Sequence, residues 1–205
     1  MNILKNKLVG ESNSKISRRK FLGIGLAVAA ASVAPRRILA AEETPLPAFF
    51  EDCPPRERKR LSLYNVYSHE ELDIQYWKDG QYIPEALEKI SHIFRDSRTG
   101  KVHTIHTELL DLLFSVQEKL KCTEPFHIVS GYRTPRSNAL LRRHQKGVAK
   151  NSLHMYGKAV DIRLPGYNLR TLRRTAMSFR SGGVGYYPSS KFIHVDVGDV
   201  RYWWG

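Results

Sequence analysis

Two stretches in the last third of the chain alternate aliphatic and polar residues with a period of two. Residues 158–164 place three aliphatic side chains on one face and Asp161 on the other. Residues 191–197 repeat this pattern, with His194 and Asp196 on the polar face. Because successive side chains of a strand point to opposite faces, both stretches are predicted strands with one core face and one polar face.

The rest of the chain shows both strand-like and helix-like spacing of its hydrophobic residues. The predicted strands are 61–65, 71–76 and 126–129, and the predicted helices are 84–94, 105–121, one that begins at Ser137 and one from about Asn168 to Ser181. Ser137 is suited to cap its helix, and Gly183–Gly185 are interpreted as a turn into the last strand. The pattern predicts an α+β fold, an antiparallel β-sheet core flanked by helices.

The polar faces of the two alternating strands carry candidate metal ligands. His154 and Asp161 lie seven positions apart, and His194 follows on the second strand. Two histidines and one aspartate suit zinc, with the fourth position left to water. A histidine on a half-buried strand more often has a structural role than a metal-binding one. A purely structural role is less expected for an aspartate there, because aspartate is depleted in strands and its burial without a partner costs free energy. The pattern alone leaves both interpretations open.

The N-terminus is predicted to be an export signal that covers residues 1–41. Lysines lead to Ser17-Arg18-Arg19-Lys20-Phe21-Leu22, which resembles a twin-arginine motif, and an apolar run with small residues after it follows. The run is short for a bilayer span, so we expect cleavage, no stable membrane span in the mature form, engagement of the twin-arginine translocation machinery, and a periplasmic or otherwise exported location.

Removal of this segment changes the charge balance of the protein. The whole chain has a formal net charge of +13, and its first 40 residues hold eight Lys/Arg and one acid, which leaves +6. The sequence has no stripe of basic residues interleaved with aromatic residues, so this charge gives poor support to nucleic-acid binding.

A Pro-rich entry segment, 42–59, precedes one predicted domain, 60–205. Cys53 and Cys122 could pair in an oxidising compartment, but the sequence does not decide this.

Four segments together resemble the YcbK-like branch of the zinc D-alanyl-D-alanine carboxypeptidases, a group that includes murein endopeptidases and the Hedgehog domain. They are Ser130-Gly-Tyr-Arg133, Ser152-x-His154-x-x-Gly157-x-Ala159-x-Asp161, Gly182-Gly-Val-Gly-Tyr-Tyr187 and Phe192-Ile-His194-Val-Asp196. The resemblance runs from about Arg60 to Trp204. It implies zinc held by His154, Asp161 and His194, and hydrolysis of a peptide amide of peptidoglycan.

The resemblance also suggests roles for the polar residues near the expected zinc. Arg133 would stabilise the oxyanion or anchor a substrate carboxylate, since a guanidinium offers a charged, forked pair of donors. Ser152 would contact substrate or orient His154, or else simply stabilise its loop.

The general base is the point at which this chain departs from the family pattern. Relatives often place His or Glu just before the last ligand, where this chain has Lys191 and Phe192. Asp196 is a candidate base, with two rival roles: orienting a zinc-ligating histidine, or pairing with Arg201 or another cation. A zinc-stabilised binding module without catalysis is therefore the alternative function. A glycan-cleaving enzyme would need a pair of catalytic carboxylates, and no suitable Glu pair stands out.

Overall fold

The computed structural model describes residues 58–145 and 147–205, which form one eight-stranded sheet and four helices. The strands are β1 Arg58–Asn65, β2 Glu71–Lys78, β3 Gln81–Tyr82, β4 Phe126–Ser130, β5 Ala159–Arg163, β6 Gly183–Tyr187, β7 Phe192–Asp196 and β8 Arg201–Trp204. The helices are α1 Pro84–Ile93, α2 Thr107–Leu120, α3 Pro135–His144 and α4 Leu169–Ser178. A 3₁₀ turn, Leu153–Tyr156, precedes β5.

The strand order in the sheet is β3-β2-β1-β4-β5-β7-β6-β8. Most neighbours are antiparallel, which confirms the predicted α+β class, but β1 pairs with β4 and β6 pairs with β8 in parallel. Strands β1 and β4 are parallel because the chain crosses over through α1 and α2 before it returns to the sheet, whereas β8 follows β7 directly and pairs with the other edge of β6. Central strands β5 and β7 are antiparallel to each other.

Helices α1, α2 and α4 cover one face of the sheet, where the hydrophobic core lies. Helix α2 packs against β1 and α4, and α4 packs on β6 and β7. The aliphatic side chains of β5 and β7 contribute to this core, and those fully or almost fully buried include Val160, Ile162, Ile193 and Val195. Because side chains alternate along a strand, the opposite face of the same two strands carries Asp161 and His194. Burial of the aliphatic side chains therefore determines which side chains lie on the polar face.

Two local expectations were wrong in detail, and the edge strand β8 was missed. The N-cap of α3 is Thr134, whose side chain accepts a hydrogen bond from the backbone N–H of Ser137, so Ser137 lies inside the helix. The Gly183–Gly185 segment is part of strand β6 rather than a turn. Strand β8 was not anticipated; it is short and lies at the edge of the sheet.

Several sequence-based expectations lie outside the described residues. They are the export signal at 1–41, nearly all of the entry segment 42–59, and Cys53. The entry segment does overlap the fold at its end, because β1 begins at Arg58. Cys122 is buried and free. Within residues 58–145 and 147–205, no helix has both the length and the apolar character needed to cross a membrane.

Candidate metal centre

The predicted ligands His154, Asp161 and His194 come together on the polar face of the sheet. Asp161 lies in the middle of β5 and is the direct register partner of His194 on β7. His154 lies in the 3₁₀ turn just before β5 and reaches the same point. Of the His, Cys, Asp and Glu residues that the structure describes, these three form the group whose donor atoms could hold a metal ion, and all three side chains are buried.

The three donor atoms form a small triangle. His154 Nε2 lies 3.1 Å from His194 Nδ1 and 3.3 Å from Asp161 Oδ1. His194 Nδ1 lies 2.9 Å from Asp161 Oδ1. Tetrahedral zinc with bonds of about 2.0–2.1 Å separates its ligand atoms by about 3.3–3.4 Å. The observed triangle is close to that size.

The other nitrogen of each histidine is engaged by an acceptor. Nδ1 of His154 lies 2.7 Å from the carbonyl oxygen of Gly131, and Nε2 of His194 lies 2.8 Å from Asp196 Oδ2. Each of these nitrogens must carry the proton that it donates, which leaves His154 Nε2 and His194 Nδ1 as bare lone pairs. With both imidazoles neutral, these lone pairs and the Asp161 carboxylate converge with no donor among them, so a proton on His194 Nδ1 or a cation would join them. Such a donor set fits a cation, and two imidazoles with one carboxylate fit zinc.

The electrostatics of the site agree with a bound positive charge. Burial raises the pKa of Asp161, but the nearby His154 and His194 outweigh burial and hold the pKa well below its ordinary value. Burial lowers the pKa of His194, yet its hydrogen bonds to Asp161 and Asp196 more than compensate, so the pKa is raised overall. Burial dominates at His154 and lowers its pKa. The site therefore keeps its carboxylates ionised and attracts one positive charge.

Asp196 is completely buried and receives five hydrogen bonds. Oδ1 accepts from the backbone N–H groups of Gly183 and Gly198, at 3.0 and 2.9 Å, and from Arg201 Nη1 at 3.1 Å. Oδ2 accepts from His194 Nε2 and from Arg201 Nη2 at 2.7 Å. Asp196 thus contacts His194 on the side away from the ligand triangle and also pairs with Arg201. These are the contacts expected of a residue that orients a histidine and of one that pairs with a cation, the two alternatives to a role as general base.

Arg133 and Ser152 lie beside the triangle. Arg133 Nη2 lies 3.4 Å from Ser152 Oγ, a long hydrogen bond, and its buried Nε has no hydrogen-bond partner. Burial lowers the pKa of Arg133, which the carboxylate of Asp161 opposes. The backbone N–H of Arg133 donates to the carbonyl of His154 at 3.2 Å, which links the two predicted site segments. The guanidinium therefore faces the site without an ion-pair partner among the described residues.

A cleft of about 760 Å³ opens above the triangle and is lined by Arg133, Ser152, Asp161 and His194. One wall is aromatic. Trp203 packs against the His194 ring with a centroid separation of 5.2 Å and donates its Nε1–H to the Tyr187 hydroxyl at 2.9 Å. Asp161 is the one carboxylate among the described residues that line this cleft.

Close backbone packing positions the histidine segments. A side chain at Gly131 would overlap the carbonyl of Phe94, so the strand end that accepts the His154 hydrogen bond must lack a Cβ. Gly157 ends the 3₁₀ turn in the left-handed region, with φ of 64°, and lies against the backbone of Thr104. Glycine is required at both places because any Cβ would meet another backbone segment.

Sequence reasoning did not find three contributors to the site. The Gly131 carbonyl that orients His154 carries no side-chain signal. Trp203 lies on the unanticipated strand β8, and Gly185 in the neighbouring strand leaves room for its indole ring. The signal that could have pointed to Trp203 is Gly185, because a glycine inside a strand often marks the close approach of another group.

Comparison with known proteins gives a consistent set of relatives. A family model described as peptidoglycan L,D-endopeptidase MepK matches residues 54–203. The chain is 37% identical over 187 residues to the peptidoglycan L,D-endopeptidase MepK of Escherichia coli K12, covering 91% of this chain and 97% of that relative. It is 36% identical over 190 residues to the probable peptidoglycan L,D-endopeptidase MepK of Haemophilus influenzae, covering 92% and 96%. These matches confirm the resemblance to the murein endopeptidase group.

Proposed function

This chain belongs to the family of the peptidoglycan L,D-endopeptidase MepK, and from that premise we propose that it is a zinc-dependent peptidase of the cell wall. Its substrate is a peptide amide bond of peptidoglycan. His154, Asp161 and His194 hold the zinc ion. We infer that the bond that this chain cleaves is an L,D bond, as the names of the relatives state for them.

The convergence of three lone-pair donors carries the proposal. His154 Nε2, Asp161 Oδ1 and His194 Nδ1 lie within 3.3 Å of one another, while the opposite ring nitrogens are committed to Gly131 and Asp196. A buried cluster of acceptors without a donor is unfavourable unless a cation or proton joins it. When bound, zinc supplies Lewis-acid chemistry that polarises a carbonyl and makes water nucleophilic near neutral pH.

The chain's own residues supply positioning and charge around the reacting amide. Arg133 faces the cleft with an unused Nε–H, and its charge is suited to an oxyanion or a substrate carboxylate. Ser152 lines the same cleft and offers a hydroxyl to substrate. We assign Asp196 as a positioning residue for His194 rather than as the base, because all of its acceptor capacity is directed at the five donors around it.

Location follows from the substrate and from the N-terminal sequence. Peptidoglycan lies outside the cytoplasm, so the protein must be exported to act on it. The twin arginines Arg18 and Arg19 and the short apolar run after them support the twin-arginine route and a periplasmic location.

One observation favours the rival function, a zinc-stabilised binding module. Among the described cleft residues the sole carboxylate is Asp161, a proposed ligand, and Phe192 stacks on Tyr187 at a centroid separation of 4.6 Å where relatives of the wider group hold a base. The binding module predicts zinc binding and peptide binding without turnover, whereas the peptidase predicts products.

The test combines metal analysis with product identification. Zinc-loaded protein is incubated with purified muropeptides, and the products are identified by mass spectrometry. We expect one zinc per chain and cleavage of cross-linked species, and we expect His154→Ala and His194→Ala to lose both. Full zinc retention by both variants would refute the ligand assignment. Zinc binding without any cleavage would favour the binding module.

A further inference from the structure

A second arginine, Arg98, faces the same cleft as Arg133. Both residues line the large cleft, and both also line a small polar cavity of about 20 Å³ beside it. Neither guanidinium forms an ion pair with any residue that the structure describes, and Arg133 Nε has no hydrogen-bond partner. Because both residues line the small cavity as well as the cleft, Arg98 and Arg133 are neighbours in the fold.

A buried carboxylate joins the two backbone segments that carry these arginines. Asp96 Oδ1 accepts from the backbone N–H of Arg98 at 2.8 Å and from that of Thr99 at 3.1 Å. Asp96 Oδ2 accepts from the backbone N–H of Thr134, next to Arg133, at 2.6 Å, and from the Thr134 hydroxyl at 2.9 Å. Asp96 is nearly completely buried, so this bridge between the two loops is built into the fold.

The bridge uses up the carboxylate that would otherwise neutralise the arginines. Each oxygen of Asp96 already accepts two hydrogen bonds from backbone or hydroxyl donors. Asp161, which acts electrostatically on Arg133, is a proposed zinc ligand. Two cations beside one cleft, on backbone segments that Asp96 joins and with their local carboxylates committed elsewhere, make a place for an anion from outside the chain.

We propose that Arg98 and Arg133 together form a subsite for a carboxylate of the peptidoglycan stem peptide, with Arg98 as a specificity-determining residue. This inference rests on the proposed function, since the peptide is the substrate of the same cleft. Guanidinium groups match the planar, two-oxygen geometry of a carboxylate, and binding there relieves the repulsion between the two cations. A stem peptide whose carboxylate is amidated lacks the charge that this subsite recognises.

The test compares two substrates and three proteins. The substrates are a cross-linked muropeptide with free carboxylates and the same muropeptide with those carboxylates converted to carboxamides. The proteins are the wild type, Arg98→Gln and Lys101→Gln, all zinc-loaded. Lys101 is a matched control because it is an exposed cation of the same loop that does not line the cleft. Because Arg98 is exposed, its replacement should leave the melting temperature unchanged.

We expect the wild type to prefer the carboxylate form in kcat/KM. Arg98→Gln should lower kcat/KM about 10- to 100-fold on that form, chiefly through KM, and should change little on the amidated form, so that the preference disappears. Lys101→Gln should behave like the wild type. Equal effects of Arg98→Gln on the two substrates, or no effect on either, would overturn the subsite.

A binding measurement separates this inference from the proposed function. The uncross-linked stem peptide, in carboxylate and amidated forms, is titrated calorimetrically into the same zinc-loaded proteins. If the wild type cleaves nothing, the proposed function fails, and the subsite is still judged by whether Arg98→Gln removes the preference for the carboxylate form in Kd. Equal Kd values for wild type and Arg98→Gln would then overturn it.

Discussion

Asp196→Asn tests how the ligands of the proposed zinc site are oriented, because it changes the chemistry of one buried side chain with little change in size. In the native protein the carboxylate accepts hydrogen bonds from His194, from two backbone N–H groups and from Arg201. Asparagine has one acceptor oxygen and one NH₂ donor. If the oxygen keeps the backbone groups of Gly183 and Gly198, the NH₂ group faces two donors, His194 Nε2 and Arg201 Nη2.

The variant then has two unfavourable choices. His194 can move its proton from Nε2 to Nδ1, which places a hydrogen on the nitrogen that faces Asp161 and the proposed zinc position. Alternatively, the amide can turn over, which leaves the two backbone N–H groups without an acceptor. Loss of such an outer partner typically weakens metal binding 10- to 100-fold, which is about 1.4–2.7 kcal/mol.

The stability of the zinc-free protein should also fall. Breaking a buried ion pair costs about 3–5 kcal/mol, but the Arg201 side chain is 45% exposed, so we expect about 2–3 kcal/mol here. The assay is competition for zinc with a chromophoric chelator, together with urea unfolding of the zinc-free protein. Asp199→Asn is the matched control, since Asp199 is an exposed aspartate of the same loop whose side chain does not contact His194. Zinc affinity within twofold of wild type, together with lost turnover, would refute the orienting role and restore Asp196 as the base.

Three further predictions follow from other parts of the chain. Arg133→Lys keeps the charge but loses the fork, so muropeptide turnover should fall about 10- to 100-fold with a small change in melting temperature; unchanged turnover with a lower melting temperature would make Arg133 structural. For Asp96, burial raises the pKa, but hydrogen bonds from Ser137, Thr134 and Arg98 outweigh it and lower the pKa overall. The stability that this carboxylate contributes is therefore present above its unfolded pKa of about 3.9 and lost as the pH falls through the lower folded value. The stability gap between wild type and Asp96→Asn in urea unfolding should narrow below about pH 4, and a gap independent of pH would contradict this. Replacing Arg18 and Arg19 with lysines should block export in cell fractionation, and normal export would indicate another route.

The convergence of the three proposed ligands could be predicted because strand alternation and motif spacing act locally. Once Ile193 and Val195 are assigned to the core face of β7, His194 must lie on the opposite, polar face. The same argument places Asp161 on the polar face of β5. The register between these strands then brings the two residues face to face. The period-two alternation in the sequence therefore indicates on which face of its strand each of these residues lies.

The supporting contacts could not be predicted in the same way, because they join segments distant in sequence. Asp96 and Thr134 are 38 positions apart, and nothing in either segment points to the other. The run from Asp96 to Gly100 does read as a turn closed by an aspartate side chain, and Asp96 does accept from the N–H groups two and three residues on. The second oxygen of the same carboxylate, which fixes the Arg133 segment, depends on the tertiary fold alone.

The same long-range contacts predict that the proposed zinc site is formed before any metal binds. His154 is oriented by the carbonyl of Gly131, directly after β4, and His194 by a carboxylate that Arg201 of β8 and two backbone N–H groups hold in place. Each of the two histidines therefore has one ring nitrogen held by an acceptor that the fold positions. Since little ordering remains to be done on binding, zinc should stabilise the protein by close to the mass-action amount set by its concentration and Kd. A site that instead folded around its metal would be unfolded in the zinc-free protein. Circular dichroism of zinc-free protein distinguishes the two cases, and we expect a native spectrum with a lower melting temperature.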